Sequence, residues 1–158
     1  RRPARAPLCR RVRGERGVTA DPYDLERFVA AQEPVWDRVR AELARGRKAS
    51  HWMWFVFPQL AGLGSSSTAR AAAVSGLDEA QAYLAHPVLG PRLREAAELA
   101  AAVEARTASE VFGYPDDLKL RSSMTLFARA APQDPVFTAV LDRYFGGDPD
   151  QRTIELLG

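Results

Sequence analysis

Ser50-His51-Trp52-Met53-Trp54-Phe55-Val56-Phe57-Pro58-Gln59 holds two of the chain's three tryptophans, one of its two histidines and one of its two methionines. A block this bulky is either the middle of a core or the wall of a site. Its periodicity is ambiguous. As a helix, His51, Trp54, Phe55 and Pro58 share a face; as a strand, His51, Met53, Phe55 and Phe57 do. A strand needs a pairing partner, and nowhere do two β-runs flank a hairpin turn. The block is therefore expected to be a buried helix ending before Pro58, because the residue preceding a proline is pushed away from helical backbone. With no strand here, the chain reads as all-α.

The flanking sequence supports that class. Asp21-Pro22 supplies a cap and a first-turn proline, and Leu25, Phe28, Val29 and Gln32 follow at helical spacing. Val35, Trp36, Val39 and Leu43 form a second stripe that Gly46 ends. Ala61-Gly62-Leu63-Gly64-Ser65-Ser66-Ser67 reads as a connecting loop; without a Gly-Lys-Ser/Thr ending it is not a P-loop. A short helix is expected over 77–85. Another is expected over 91–105, with Leu93, Ala96, Ala97, Ala100 and Val103 inward, small enough for a neighbouring helix to come close. Thr107-Ala108-Ser109-Glu110 is a capping box. Pro115-Asp116-Asp117 opens a helix striped by Leu120, Met124, Phe127 and Ala131. Asp134-Pro135 caps the next, which Gly146-Gly147 ends, and Asp148-Pro149 repeats the device before Ile154 and Leu157. No repeat of fixed period appears. The expectation is a compact single-domain bundle of about seven or eight helices, several of them short.

Composition sets outer limits. The 158 residues suit one domain with a core of its own. The net charge of +2 is unevenly placed: residues 1–17 carry seven arginines against one glutamate, so the remainder is net negative. Residues 1–20 are expected to be a disordered Arg-rich tail, and 21–158 the helical domain. The tail lacks lysines and interleaved aromatics, so a nucleic-acid partner is not expected. No apolar run approaches membrane-spanning length. A single cysteine, Cys9, excludes an internal disulfide and a cysteine zinc site. With no export signal, the expected location is the cytoplasm.

Four segments carry a resemblance. They are Asp24-Leu25-Glu26-Arg27-Phe28; Gly46-Arg47-Lys48 with the block Ser50 to Gln59; His86-Pro87-Val88-Leu89-Gly90; and Gly113-Tyr114-Pro115-Asp116-Asp117-Leu118-Lys119 followed by Arg121-Ser122-Ser123-Met124-Thr125-Leu126-Phe127. Their content and order resemble the bacterial domain-of-unknown-function 1810 family, over roughly Asp21 to Gly158. The resemblance implies a small all-helical bacterial protein and a motif map, with no established activity. Members often carry the label calpastatin, but no feature of this sequence supports protease inhibition.

No complete catalytic signature is present, so site residues are argued by chemistry. On a helix, Lys119, Ser122 and Ser123 share a face and Arg121 stands beside it. Cations with hydroxyls suit a small anion such as a phosphate, carboxylate or nucleotide. The same face also reads as a solvated surface paired to Asp116 and Asp117. His51 is the candidate general acid or base, or else a packed histidine. Trp52 and Trp54 could stack a planar ring, or simply fill the core. Gln59, just past Pro58, could read an amide or a base edge. His86 sits in a proline-flanked turn and, with His51 far from it in sequence, makes no metal set. Ser122 and Ser123 lack a triad. No cofactor is implied. Two functions remain: a pocket for a small anionic metabolite, nucleotide-like or phosphate-bearing, between residues 50–59 and 114–127; or a non-catalytic helical module that binds another protein.

Overall fold

The structure, a computed structural model, describes residues 21–158. Residues 1–20, expected above to be a disordered tail, lie outside the described residues. The described part contains ten α-helices and no strands, forming one all-helical domain. In chain order they are α1 (Glu26–Gln32), α2 (Trp36–Arg45), α3 (Met53–Val56), α4 (Ser67–Ala71), α5 (Leu77–Ala85), α6 (Leu89–Ala102), α7 (Ala108–Phe112), α8 (Asp116–Ala130), α9 (Pro135–Phe145) and α10 (Gln151–Leu157). The count exceeds the expected seven or eight because α3, α4 and α7 are helices of only four or five residues.

Helix α8 is the central rod. Asp116 and Asp117 favour its N-terminus, and α5, α7, α9 and α10 all pack on it. Leu120, Met124, Leu126 and Phe127 are fully buried, and so is Ser123 between them. Helix α6 packs against α2, α5 and α9. Its buried Ala96, Ala97 and Ala100 permit the close approach expected of small side chains. An aromatic chain joins the elements: Phe28–Tyr83, Tyr83–Phe127 and Phe127–Phe137 have ring centroids 5.1, 5.3 and 5.9 Å apart.

Most of the helix-ending devices act as read. Thr107 and Glu110 form the reciprocal capping box. Asp134 accepts from the Val136 N–H at 3.2 Å. Gly46 and Gly146 close α2 and α9 in the left-handed region, at φ 77° and 62°.

Four expectations change. The aromatic block forms one helical turn, Met53–Val56, so His51 lies before the helix and does not share a helical face with Trp54. The Gly/Ser connector leads into a further short helix, α4, which Ser66 caps by accepting from the Ala69 N–H. Helix α6 begins at Leu89, ahead of Pro91; a proline in the first turn forfeits no helical hydrogen bond. Asp150, not Asp148, caps α10, accepting from the Thr153 N–H and hydroxyl at 2.9 and 2.6 Å.

Two features hold the connector between α3 and α5. Leu60 and Val74 form an isolated bridge: Ala61 N–H donates to Val74 O and Val74 N–H to Gln59 O, each at 2.8 Å. Arg27 then reaches from α1 to the carbonyls of Ala71 and Ala73, at 3.0 and 2.8 Å, and to Glu79 at 2.9 Å. Residues 61–73 are thus a closed excursion with both ends pinned.

Candidate functional site

The turn before α3 is organised by a buried carboxylate. Glu42, on the inner face of α2 and 3% exposed, accepts from the N–H groups of Ala49 and Ser50 at 2.8 and 3.1 Å. It also accepts from the Ser50 hydroxyl and the Trp52 indole at 2.7 and 2.8 Å. Burial alone would raise its pKa, but these hydrogen bonds outweigh it and hold the group down at about 2. Trp52 is thereby fixed inside the core, 1% exposed, and its ring faces no ligand.

Next to this network the two signature segments interlock through Asp116. Its Oδ2 pairs with Lys48 Nζ at 2.8 Å and its Oδ1 with Lys119 Nζ at 3.3 Å. Each lysine also stands over a tryptophan: Lys48 lies 5.2 Å from the Trp52 ring centre, and Lys119 lies 4.9 Å from that of Trp54. One carboxylate therefore faces two ammonium groups, leaving one positive charge in excess. The buried Lys48 is the nearer partner, so Lys119 carries the excess toward the surface.

That surface is a cleft of about 370 Å³, lined by Trp54, Gln59, Leu63, Gly64, Ser65, Ser66, Ala69, Pro115, Leu118, Lys119, Ser122, Asp150 and Arg152. Three elements meet in it. The pinned excursion brings Ser65 and Ser66, with Gln59 just ahead of it. Helix α8 brings Leu118, Lys119 and Ser122. The start of α10 brings Asp150 and Arg152, and α8 sets its position: Thr125 donates to Arg121 O and accepts from the Asp150 N–H, both at 2.8 Å. Gly64 lets the loop wall close, since a Cβ there would stand 2.5 Å from that of Ala69. Larger hollows lack its net positive lining among the described residues: the one beside Arg47, Glu104, Arg106 and Glu110, about 760 Å³, sets two arginines against two glutamates, and those of about 460 and 420 Å³ are lined by no lysine or arginine.

Of the residues singled out from sequence, Trp54, Gln59, Lys119 and Ser122 come together here. The others do not. His51 is exposed and outside the cleft. Trp52 is core. Arg121 points to the α9–α10 turn, where its Nε donates to Asp148 O at 3.0 Å and its guanidinium lies 5.4 Å from the Phe145 ring centre. Ser123 is fully buried, and its hydroxyl has no partner among the described residues. The Ser122 hydroxyl donates to Leu118 O at 3.2 Å. Sequence reasoning missed Arg152, Ser65, Ser66 and the role of Lys48. Arg152 follows an unrecognised cap, and nothing local marks it as facing α8.

Trp54 is half-buried rather than core. Trp54→Ala is accordingly expected to cost about 1–2 kcal/mol in urea unfolding, below the ~3–5 kcal/mol of a fully buried tryptophan. A loss in the upper range would place the ring in the core.

The chain belongs to the family described as protein of unknown function (DUF1810), whose model matches residues 22–157. It is also similar to a conserved hypothetical protein from Mycobacterium tuberculosis with a known crystal structure. The two are 58% identical, with a TM-score of 0.86 over 87% of this chain and 98% of that one. None of the curated proteins matches it. Among the described residues no helix is long and apolar enough to cross a membrane.

Proposed function

We propose that the cleft between the aromatic block and the 114–127 motif binds a small anionic metabolite, either phosphate-bearing or nucleotide-like, in a bacterial cytoplasmic protein. One observation carries this reading: Lys119 shares Asp116, its one carboxylate partner among the described residues, with the better-paired Lys48, while standing in the same cleft as Arg152. Asp116 and Asp150 offset two of the three cations Lys48, Lys119 and Arg152, so an anion entering there meets a net positive charge in a partly desolvated setting, where such contacts are strengthened. The proposal is of binding, and no reaction is assigned.

A thermal-shift screen against nucleotides, sugar phosphates and ADP-ribose derivatives tests it. A ligand at about a hundred times its Kd adds about 2.7 kcal/mol, which is roughly 8 °C for a domain of this size. Lys119→Ala is expected to abolish that shift yet cost only about 1 kcal/mol of stability, since it removes one partly exposed ion pair and one ring contact. If Lys119→Ala unfolds the protein, or leaves ligand binding intact, the lysine is a structural partner and the assignment fails.

One observation favours the second reading, a non-catalytic protein-interaction module. Tyr114 and Leu118 are 78% and 46% exposed, beside and within the cleft mouth. That reading expects no anion to shift the melting temperature, and Tyr114→Ser with Leu118→Ser to release a protein partner.

A further inference from the structure

We infer that the cleft takes the phosphomonoester of a small non-aromatic alcohol or sugar, and that Arg152 is its second anchoring cation. This rests on the anion-binding reading above and narrows it, removing the nucleotide.

Three features of the cleft point this way. The first is the fate of the aromatic rings. Among the described residues Trp54 is the one aromatic lining the cleft, and the Lys119 ammonium already stands over its ring at 4.9 Å. Trp52 and Phe57 are buried at 1% and 0% exposure. A base is held by stacking as well as by reading its edge, and no second ring lines the cleft among the described residues, Tyr114 lying outside its lining. Trp54 holds a lysine rather than a base.

The second is the balance of donors and acceptors. Of the acceptors in the cleft, Asp150 Oδ2 is engaged by two hydrogen bonds from Thr153, and the donors outnumber those that remain. The Ser122 hydroxyl spends its proton on Leu118 O. Ser66 Oγ accepts from the Ala69 N–H, which leaves its proton to donate. Lys119, Arg152, the Gln59 amide and the Ser65 and Ser66 hydroxyls supply donors. A donor-rich cleft suits a group that only accepts, which an ionised phosphate is.

The third is shape. The cations stand on different elements, Lys119 on α8 and Arg152 on α10, and the serines lie on a third wall. A carboxylate is planar and is best met by one forked guanidinium. A phosphate presents oxygens in three directions and can meet three walls at once. Beyond the polar groups, Leu63, Ala69, Pro115 and Leu118 leave an apolar flank for a short aliphatic or sugar arm.

The experiment is isothermal titration calorimetry on the full chain with glycerol 3-phosphate, ribose 5-phosphate, AMP, adenosine, succinate and inorganic phosphate. Glycerol 3-phosphate or ribose 5-phosphate should bind, AMP should bind no tighter than ribose 5-phosphate, and adenosine and succinate should give no heat. Arg152→Ala and Lys119→Met should each weaken the sugar phosphate by about tenfold or more, as loss of one charge-assisted contact implies. The exposed Arg152 can be changed without disturbing the core, and an unaltered melting temperature for Arg152→Ala checks this. AMP or succinate binding about tenfold tighter than ribose 5-phosphate would overturn this inference while leaving an anion cleft in place. Undiminished binding by Arg152→Ala would overturn the role of that residue. Silence from every anion would remove both this inference and the reading beneath it.

Discussion

Replacing Glu42 with alanine is expected to destabilise the fold by about 3–5 kcal/mol. The carboxylate accepts four hydrogen bonds, from two backbone N–H groups, a hydroxyl and an indole. Removing it leaves the buried Trp52 indole and the half-buried Ser50 amide without an acceptor, and frees the Ala49 amide of the exposed turn. Each such orphan costs about 1–3 kcal/mol. The loss should spread to the cleft, because Trp52 supports Lys48, and Lys48 holds Asp116. The same group makes stability depend on acid. Its folded pKa of about 2 lies below the ordinary 4.5, so its contribution is complete above the unfolded value and disappears as pH falls toward the folded one. The contribution is about 3 kcal/mol, lost between about pH 4.5 and about pH 2. Glu42→Gln should lower stability near neutral pH, because its amide has one acceptor oxygen where the carboxylate has two, and flatten that acid limb, because an amide does not titrate there. Urea unfolding of both proteins at about pH 7 and about pH 3 measures this. If Glu42→Gln costs less than ~1 kcal/mol and keeps the wild-type acid slope, the network does not hold the turn.

The Glu42 network also explains why part of the fold was illegible in sequence. Helix ends declare themselves locally: the Thr107–Glu110 box, the Asp134 cap and Gly46 need only their neighbours, and all were readable. The aromatic block is governed by an acceptor seven to ten residues upstream, which no hydrophobic period records. Its helix consequently shrank to a single turn, and His51 left the expected face. The hydroxyls of α8 misled in a different way. Ser122 and Ser123 read as a polar face toward a ligand, yet both are buried, as is Thr125 beside them, and Ser122 and Thr125 donate to carbonyls one turn back. Small hydroxyls can enter a helix interior when the backbone accepts their protons, so a polar stripe need not face water. Lys119 and Trp54 stand together, and each is marked by chemistry that a sequence displays: a bulky wall, and a cation on a helix opened by acidic residues. Arg152 is set by tertiary contact alone, through Thr125 and the Asp150 N–H.

Gly90→Ala is the case in which local propensity and packing disagree in sign. Gly90 is the second residue of α6, and alanine in a helix is favoured over glycine by about 1 kcal/mol. By that measure the substitution should stabilise. The corner between α5 and α6 reverses it. His86 Nδ1 accepts from the Val88 and Leu89 N–H groups at 3.1 and 3.3 Å, and His86 O accepts from the Gly90 N–H at 3.0 Å. This draws the start of α6 against the end of α5, where a Cβ on residue 90 would stand 2.1 Å from the Leu84 carbonyl oxygen and 3.0 Å from its carbon. Both atoms are backbone, so one helix must move, and both helices pack into the centre through α8 and α9. The expected net cost is about 3 kcal/mol, the upper range for forcing atoms into a packed interior. Gly76→Ala supplies the contrast. That glycine precedes α5 in extended backbone, at φ 171°, with nothing within 4 Å of an added Cβ. Its replacement should stay within about 0.5 kcal/mol of wild type. Urea unfolding of the two variants separates the explanations: equal and small effects would mean that the α5–α6 corner relaxes freely, whereas a loss confined to residue 90 locates the constraint in the Leu84 carbonyl.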